Sequence, residues 1–266
     1  MKRAARLTPF TLLVLWTTII ATAHPLGNFT VSHYTRLETG VDRLRLHYIV
    51  DYAEVAAFQE LQTADSDSDG NFSEAEKSAW LTRVVPQWLD GLRLTANGQP
   101  LALRLIKQAL SLPPGAANMP TLRIECELEA PLAAPLNASS TRFVLSDTNH
   151  ADRQGWHEIV VLPAAGITIF DSTAFANGVT DELKAYPEDS LIAPLAERKA
   201  EWSATTGAPP AGAKPLLTRE LKPAAQPRAR FAGLFTPRQF IPGLALVVAL
   251  LAFVLVRCRR QRIFSR

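Results

Sequence analysis

The ten residues FTVSHYTRLE, at positions 29–38, alternate between two sets of side chains. Val31, His33, Thr35 and Leu37 fall on one face of an extended chain, and the residues between them fall on the other. A period of two is typical of a half-buried β-strand. A second alternating run occupies residues 44–50, after the turn sequence TGVD at 39–42. The two runs predict a β-hairpin at the start of the folded region.

Short strand patterns return in the second part of the chain, separated by proline, glycine and the turn pair Asn97-Gly98. They lie at residues 92–95, 101–105, 122–128, 143–146, 159–162 and 167–170. Many short strands with this punctuation are typical of an antiparallel sandwich.

An acidic loop, DSDSDGNFSEAE at residues 65–76, interrupts the strand patterns. Its spacing is that of an EF-hand calcium loop, with glycine at the sixth position and glutamate at the twelfth. Ca²⁺ prefers six to eight oxygen ligands. The predicted ligands are Asp65, Asp67, Asp69, Asn71 through its backbone carbonyl, Ser73 through a water molecule, and Glu76 through both carboxylate oxygens.

A helix cap is the alternative interpretation of part of this loop. Ser73 and Glu76 have the spacing of a capping box, which requires no metal. The capping box accounts for two residues, whereas calcium binding also accounts for the three aspartates and Gly70.

Apolar residues with helical spacing lie on both sides of the acidic loop. They are Val55, Phe58 and Leu61 before it and Trp80 and Val84 after it. Pro86 is expected to stop or kink the second helix. We therefore predict a mainly β fold: an antiparallel sandwich-like domain with an inserted EF-hand helix-loop-helix, plus one C-terminal transmembrane helix.

The two ends of the sequence predict export and membrane anchoring. The first 23 residues have the pattern of a signal peptide: a basic start, an apolar stretch and the cleavage site Ala21-Thr22-Ala23. Cleavage there makes His24 the first residue of the mature chain. Residues 240–256 are apolar, and the arginines that follow favour the cytoplasmic side. The predicted organisation is a signal peptide at 1–23, an extracytoplasmic β-rich domain at 24–200, a Pro/Ala-rich linker at 201–235, a transmembrane helix at 240–256 and a basic cytoplasmic tail at 257–266.

The net charge of +3 reflects mainly basic residues near the two ends, so it is no evidence for a nucleic-acid partner. Cys126 and Cys258 fall on opposite sides of the predicted membrane span and cannot pair with each other. The exported domain must therefore be stabilised by its apolar core, without an internal disulfide.

His24 is a second candidate metal ligand. After cleavage its α-amine and imidazole could chelate Ni²⁺, Co²⁺ or Cu²⁺, and a further histidine would have to complete the site. His33 is expected to be a core residue, and it cannot readily meet His47, which lies on the other face of the hairpin. His150 and His157 are expected in and beside a solvated turn.

No short catalytic motif occurs: there is no G-x-S-x-G, H-E-x-x-H, G-x-G-x-x-G or phosphate loop. The sequence predicts a binding protein and not an enzyme. A hydrolase whose residues come together from separate loops is the remaining alternative, which a substrate screen would address.

Several segments resemble the exported N-terminal region of bacterial nickel/cobalt transporter-like membrane proteins. They are HPLGNFT at 24–30, HYTRLE at 33–38, YIVDYAE at 48–54, FQE at 58–60, GWHEIVV at 155–161 and LKAYPED at 183–189. In that family an acidic loop commonly occupies the same place, which supports the calcium ligands named above.

The resemblance implies an accessory or sensing domain for a membrane metal transporter, in the periplasm and held to the bacterial inner membrane by a single span. Family members continue into a multi-helix transport domain. One helix cannot enclose an ion path, so any passage of metal needs a partner.

Overall fold

A computed structural model describes residues 27–187 and 193–220. The predicted signal peptide, His24, the transmembrane helix and the cytoplasmic tail lie outside these residues. The described chain forms ten strands and two helices, in the order β1 (Val31–Thr39), β2 (Arg43–Tyr52), α1 (Glu54–Ala64), α2 (Glu74–Gly91), β3 (Leu92–Ala96), β4 (Gln99–Leu101), β5 (Arg104–Ser111), β6 (Leu122–Pro131), β7 (Thr141–Asp147), β8 (His157–Pro163), β9 (Thr168–Phe170) and β10 (Lys199–Thr205). The prediction of a mainly β fold is confirmed.

The predicted hairpin is formed by β1 and β2, which pair antiparallel from Val31 opposite Tyr52 to Thr39 opposite Leu44. Gly40 makes the turn, where its N–H donates to the carbonyl of Arg43 over 2.9 Å. A Cβ at this position would lie 2.8 Å from that carbonyl oxygen, so the turn favours glycine.

The first sheet has the strand order β5-β6-β2-β1-β8 and is mixed. Its β1 and β8 strands run parallel, with His33 opposite His157. The prediction of an antiparallel sandwich was therefore wrong for this pair of strands. A parallel strand has the same period of two as an antiparallel one, so the sequence pattern could not distinguish them.

The second sheet has the order β4-β3-β7-β10-β9. Residues from both sheets belong to one apolar core, which includes Leu37 and Leu46 from the first and Phe143 and Trp202 from the second. Trp202 also donates from Nε1 to Thr39 Oγ1 over 3.1 Å. The two sheets are thus packed together through their inner faces.

Residues 201–205, at the start of the predicted linker, lie in β10. This strand pairs with both β7 and β9, and Trp202 stacks on Phe143 with 5.4 Å between ring centroids. Further along, Arg219 donates to Glu197 over 2.5 Å. The chain therefore contacts the sheets as far as residues 215–219, and the rest of the predicted linker lies outside the described residues.

The helix pair α1 and α2 follows β2 directly and leads into β3, as predicted for the inserted helix-loop-helix. Trp80, Leu81, Val85 and Trp88 form the buried face of α2, with helical spacing. Pro86 does not stop this helix, which continues to Gly91. None of the helices in the described ranges is long and apolar enough to cross a membrane.

Candidate functional site

The acidic loop connects the C-terminus of α1 to the N-terminus of α2. Asp65 is the C-cap of α1, and its N–H donates to Leu61 O over 2.9 Å. Ser73 is the N-cap of α2. Both ends of the loop are therefore fixed by helix caps.

Three carboxylates converge within the acidic loop. Asp65, Asp67 and Glu76 each offer one oxygen, and these oxygens all lie within 4.8 Å of one another. In residues 27–187 and 193–220, no other three His, Cys, Asp or Glu side chains bring ligand atoms this close. Oxygens at this spacing can share one cation.

Asp65 divides its two oxygens between different roles. Its Oδ2 accepts from the N–H of Gly70 over 2.9 Å, which folds the loop back toward its start. Gly70 has φ +79°, a conformation that glycine adopts without strain. The other oxygen, Oδ1, is buried and accepts no hydrogen bond from the described residues. A buried carboxylate oxygen without a donor is suited to a cation.

Glu76 closes the loop by accepting hydrogen bonds from two serines. Oε1 accepts from the Ser66 backbone N–H at 2.6 Å and its hydroxyl at 2.9 Å, while Oε2 accepts from the Ser73 N–H at 3.0 Å and hydroxyl at 2.8 Å. The hydrogen bonds from Ser73 and then Ser66 lower the pKa of Glu76 to about 2. The carboxylate is therefore ionised at neutral pH.

The remaining predicted calcium ligands have other contacts. Asp69 Oδ1 accepts from the Asn71 N–H over 2.7 Å, and Asp69 is not one of the three converging carboxylates. Asn71 and Ser73 are exposed. Ser73 and Glu76 form the capping box that was the alternative interpretation, so their hydrogen bonds are explained without a metal.

A second polar group lies inside the domain, and the sequence did not reveal it. This histidine cluster consists of His33 on β1, Asp147 at the end of β7, His150 in the following loop and His157 at the start of β8. His33 is 2% exposed, so it is a core residue as expected, but its neighbours are polar. His150 lies in a turn and His157 starts β8, as expected, but neither side chain is freely solvated, because His157 is buried and His150 is partly buried.

Hydrogen bonds link the cluster in a continuous chain. Asp147 Oδ2 lies 2.8 Å from His33 Nδ1, His33 Nε2 lies 3.0 Å from His150 Nδ1, and His150 Nε2 lies 2.8 Å from the hydroxyl of Tyr52. Because Asp147 Oδ2 is an acceptor, His33 Nδ1 carries a hydrogen, and in the neutral tautomer its Nε2 presents a lone pair to His150.

Neighbouring side chains hold Asp147 in place and connect it to α2. The Tyr48 hydroxyl donates to Asp147 Oδ2 over 3.2 Å, and the Asn149 side-chain amide donates to the hydroxyl oxygen of Tyr48 over 3.0 Å. The same amide nitrogen donates to the carbonyl of Trp88 in α2 over 2.9 Å. The cluster is thus connected to the second helix of the acidic loop.

Burial shifts the pKa values within the cluster. It lowers the pKa of His150 to about 4 and that of His157 to about 3, and the proximity of His33 adds to both shifts. Burial by itself raises the pKa of Asp147, but hydrogen bonds from His33, Asn149 and Tyr48 bring it below its usual range. His150 and His157 are therefore neutral at pH 7, and Asp147 is ionised.

His47 does not join the cluster. Its ring lies beside acidic residues of β6, with Nδ1 2.6 Å from Glu127 Oε1 and Nε2 3.7 Å from Glu125 Oε2. The expectation that His33 and His47 do not meet agrees with these contacts. His24 lies outside the described residues.

No protein-family model matches the chain, and no curated protein matches it significantly.

Proposed function

We propose that this chain is a membrane-anchored extracytoplasmic calcium-binding protein, which takes Ca²⁺ in the acidic loop between α1 and α2. The observation that carries the proposal is the convergence of Asp65, Asp67 and Glu76 within 4.8 Å, between two helices with fixed caps. The free Oδ1 of Asp65 supports it.

The donor set suits calcium better than a softer metal. It consists of hard carboxylate oxygens, with Asp69, the Asn71 carbonyl and Ser73 in the same loop to complete six or more ligands. Glu76 already accepts from both serines, but an ionised carboxylate has about four acceptor positions and can also contact a cation. Single extracytoplasmic loops of this kind bind Ca²⁺ weakly, with Kd about 10⁻⁴ to 10⁻³ M.

Binding would fix the loop and the two helices that it joins. In the biological role that we propose, the helix pair and its surface serve as an accessory or sensing domain for a membrane metal transporter. The segments at 24–30 and 155–161, which resemble transporter-associated domains, support this role. The role that we propose is one of binding, without catalytic activity.

Isothermal titration of the full-length chain with Ca²⁺, in excess Mg²⁺, tests calcium binding. Asp65→Asn and Glu76→Gln each remove one charge and keep the shape, and the glutamine can still serve in the capping box. We expect either variant to weaken binding about tenfold or more. Glu74→Gln is the matched control, because Glu74 is exposed and contacts Lys77. The proposal fails if the wild-type chain gives no heat at millimolar Ca²⁺, or if all three variants bind alike.

The alternative function, capture of Ni²⁺, Co²⁺ or Cu²⁺ by the mature His24, stays a prediction. It requires a free α-amine beside the imidazole. A chain with one extra residue ahead of His24 should lose this affinity, and unchanged affinity would remove the hypothesis.

A further inference from the structure

We propose that the histidine cluster is a binding site for a divalent first-row transition-metal ion such as Zn²⁺, with His33 Nε2 and His150 Nδ1 as ligands and His157 as the third imidazole. This site is separate from the acidic loop and does not depend on calcium binding there.

The two facing nitrogens have the separation that a shared metal requires. His33 Nε2 and His150 Nδ1 are 3.0 Å apart. Two nitrogens bound to one tetrahedral Zn²⁺ at about 2.0–2.1 Å are separated by roughly 3.3 Å. A movement of a few tenths of an ångström therefore opens the pair to an ion.

Both rings already have the outer partners that metal-bound histidines use. Asp147 accepts from His33 Nδ1–H, which directs the lone pair of Nε2 toward His150. Tyr52 contacts the other nitrogen of His150 over 2.8 Å. A carboxylate or hydroxyl on the distal nitrogen fixes the tautomer and the ring orientation of a metal ligand.

At the His33–His150 pair, metal binding requires a change of tautomer in His150. With a neutral His33 and no metal, His150 Nδ1–H donates to His33 Nε2 over 3.0 Å, and Tyr52 donates to His150 Nε2 over 2.8 Å. With metal, the hydrogen of His150 resides on Nε2 and is donated to the Tyr52 oxygen, whose own hydrogen turns away. This exchange moves one hydrogen between the two nitrogens of His150 and releases none.

His157 provides the third imidazole and an unpartnered nitrogen. It is 4% exposed, its Nδ1 has no hydrogen-bond partner in the described part of the chain, and its ring centroid is 4.7 Å from that of His33. Its Nε2 accepts from Arg198. Before any rearrangement, the three histidines do not place one ring nitrogen each so that all three nitrogens lie within 4.8 Å of one another.

Coordination by His157 therefore includes a local rearrangement. Its hydrogen moves from Nδ1 to Nε2, and Arg198 releases the ring. Arg198 keeps two acceptors, the carbonyls of Asn149 and His150, at 2.8 and 3.1 Å. The guanidinium is not left without partners, which lowers the cost of the change.

Solvent access and donor chemistry favour a transition metal over calcium. A cleft of about 370 Å³ leads to His157 between Arg153, Gln154 and Arg198. Imidazole nitrogens suit Zn²⁺, Cu²⁺ and Ni²⁺, whereas Ca²⁺ prefers oxygen.

The test is a Zn²⁺ titration of the full-length chain against a chromophoric chelator, together with the visible absorption of bound Co²⁺. His150→Asn is the principal variant, because His150 has φ +47° and asparagine tolerates that conformation. We expect it to weaken Zn²⁺ binding about 100-fold or more and to abolish the Co²⁺ spectrum of nitrogen ligation. His33→Asn and His157→Asn should also weaken binding at least tenfold.

Tyr52→Phe is a second variant, chosen to preserve the fold. It retains the ring that packs against Trp88 and removes only the hydroxyl on His150 Nε2. We expect Zn²⁺ affinity to fall about tenfold. Circular dichroism and thermal unfolding of each variant show whether a loss of affinity reflects a loss of fold.

Three controls separate this site from the others. His47→Asn removes a histidine of the neighbouring strand, Asp65→Asn/Glu76→Gln disables the acidic loop, and His24→Ala removes the N-terminal candidate. All three should retain the Zn²⁺ affinity of the wild type. If His150→Asn and Tyr52→Phe fold and bind Zn²⁺ like the wild type, or if only His24→Ala loses binding, the histidine cluster is a hydrogen-bonded network without a metal and the proposal is overturned.

Discussion

The acidic loop and the histidine cluster differ in how the fold supports them. Most residues of the loop are exposed, and its hydrogen bonds connect positions within a segment of twelve residues. The cluster is largely buried, and its hydrogen bonds join residues 114 and 117 positions apart. A change in the loop should therefore affect ligand binding more than stability, whereas a change in the cluster should affect both.

The largest effect is expected from Asp147→Ala. This carboxylate accepts from His33, Tyr48 and the Asn149 N–H, so its removal leaves buried donors unsatisfied. We expect the free energy of unfolding to fall by about 3 kcal/mol or more, measured by urea denaturation. Asp152→Ala is the control, because this residue is exposed in the same loop. Equal losses in both variants would mean that the cluster has no special role in stability.

Acidification should destabilise the metal-free protein through the cluster. The pKa of His150 falls from 6.5 to about 4 on folding and that of His157 from 6.5 to about 3. Below pH 6.5 the unfolded chain binds protons that the folded chain does not, so stability decreases as pH falls from about 6.5 toward 3. Asp147 and Asp152 oppose the shift, and Arg153, Arg198 and His33 reinforce it in one or both histidines.

Thermal unfolding across this pH range, with EDTA present, measures the effect. His150→Asn should flatten the profile, because it removes one of the two titrating groups. A slope that His150→Asn does not alter would contradict the assignment to the cluster.

Calcium is expected to stabilise the chain by a smaller amount. A free Ca²⁺ concentration ten times the Kd adds about 1.4 kcal/mol to the free energy of unfolding. Asp65→Asn should reduce this increment to about 0.4 kcal/mol or less and leave the calcium-free stability within about 0.5 kcal/mol. Urea denaturation with and without Ca²⁺ measures both values, and an increment that persists in the variant would place the ion elsewhere.

The smallest effect is expected from Ser73→Ala. The Ser73 hydroxyl caps α2 and donates to Glu76 Oε2, so its loss should cost about 1 kcal/mol. Ser78→Ala is the control, since Ser78 is an exposed position within α2. If both variants unfold alike, the cap does not stabilise the start of the helix.

The sequence predicted the parts of the fold that depend on neighbouring residues. Alternation identified β1 and β2, and the spacing from Asp65 to Glu76 located a loop between two helices. Three of the six predicted calcium ligands converge, and the other three have contacts that depend on the detailed path of the backbone. A local pattern defines the order of groups but not the direction in which each side chain points.

The parts that depend on distant pairing could not be predicted. His33 has the position of a core residue in β1, and only the parallel register with β8 places it opposite His157. Asp147 and His150 flank the end of β7, where a polar turn is the ordinary expectation. Trp202 is surrounded by a sequence with few strand signals, yet β10 completes the second sheet between β7 and β9.

The hydrogen bond between Asn149 and the Trp88 carbonyl gives α2 a mechanical role. The helix begins at the acidic loop and has 18 residues, so its last turn is about 27 Å from its first residue. A tilt of about 5° around the loop would displace the far end by about 2 Å, more than the bond at Trp88 can follow. The orientation of α2 at the acidic loop is thereby coupled to the arrangement of the imidazoles near its C-terminal end.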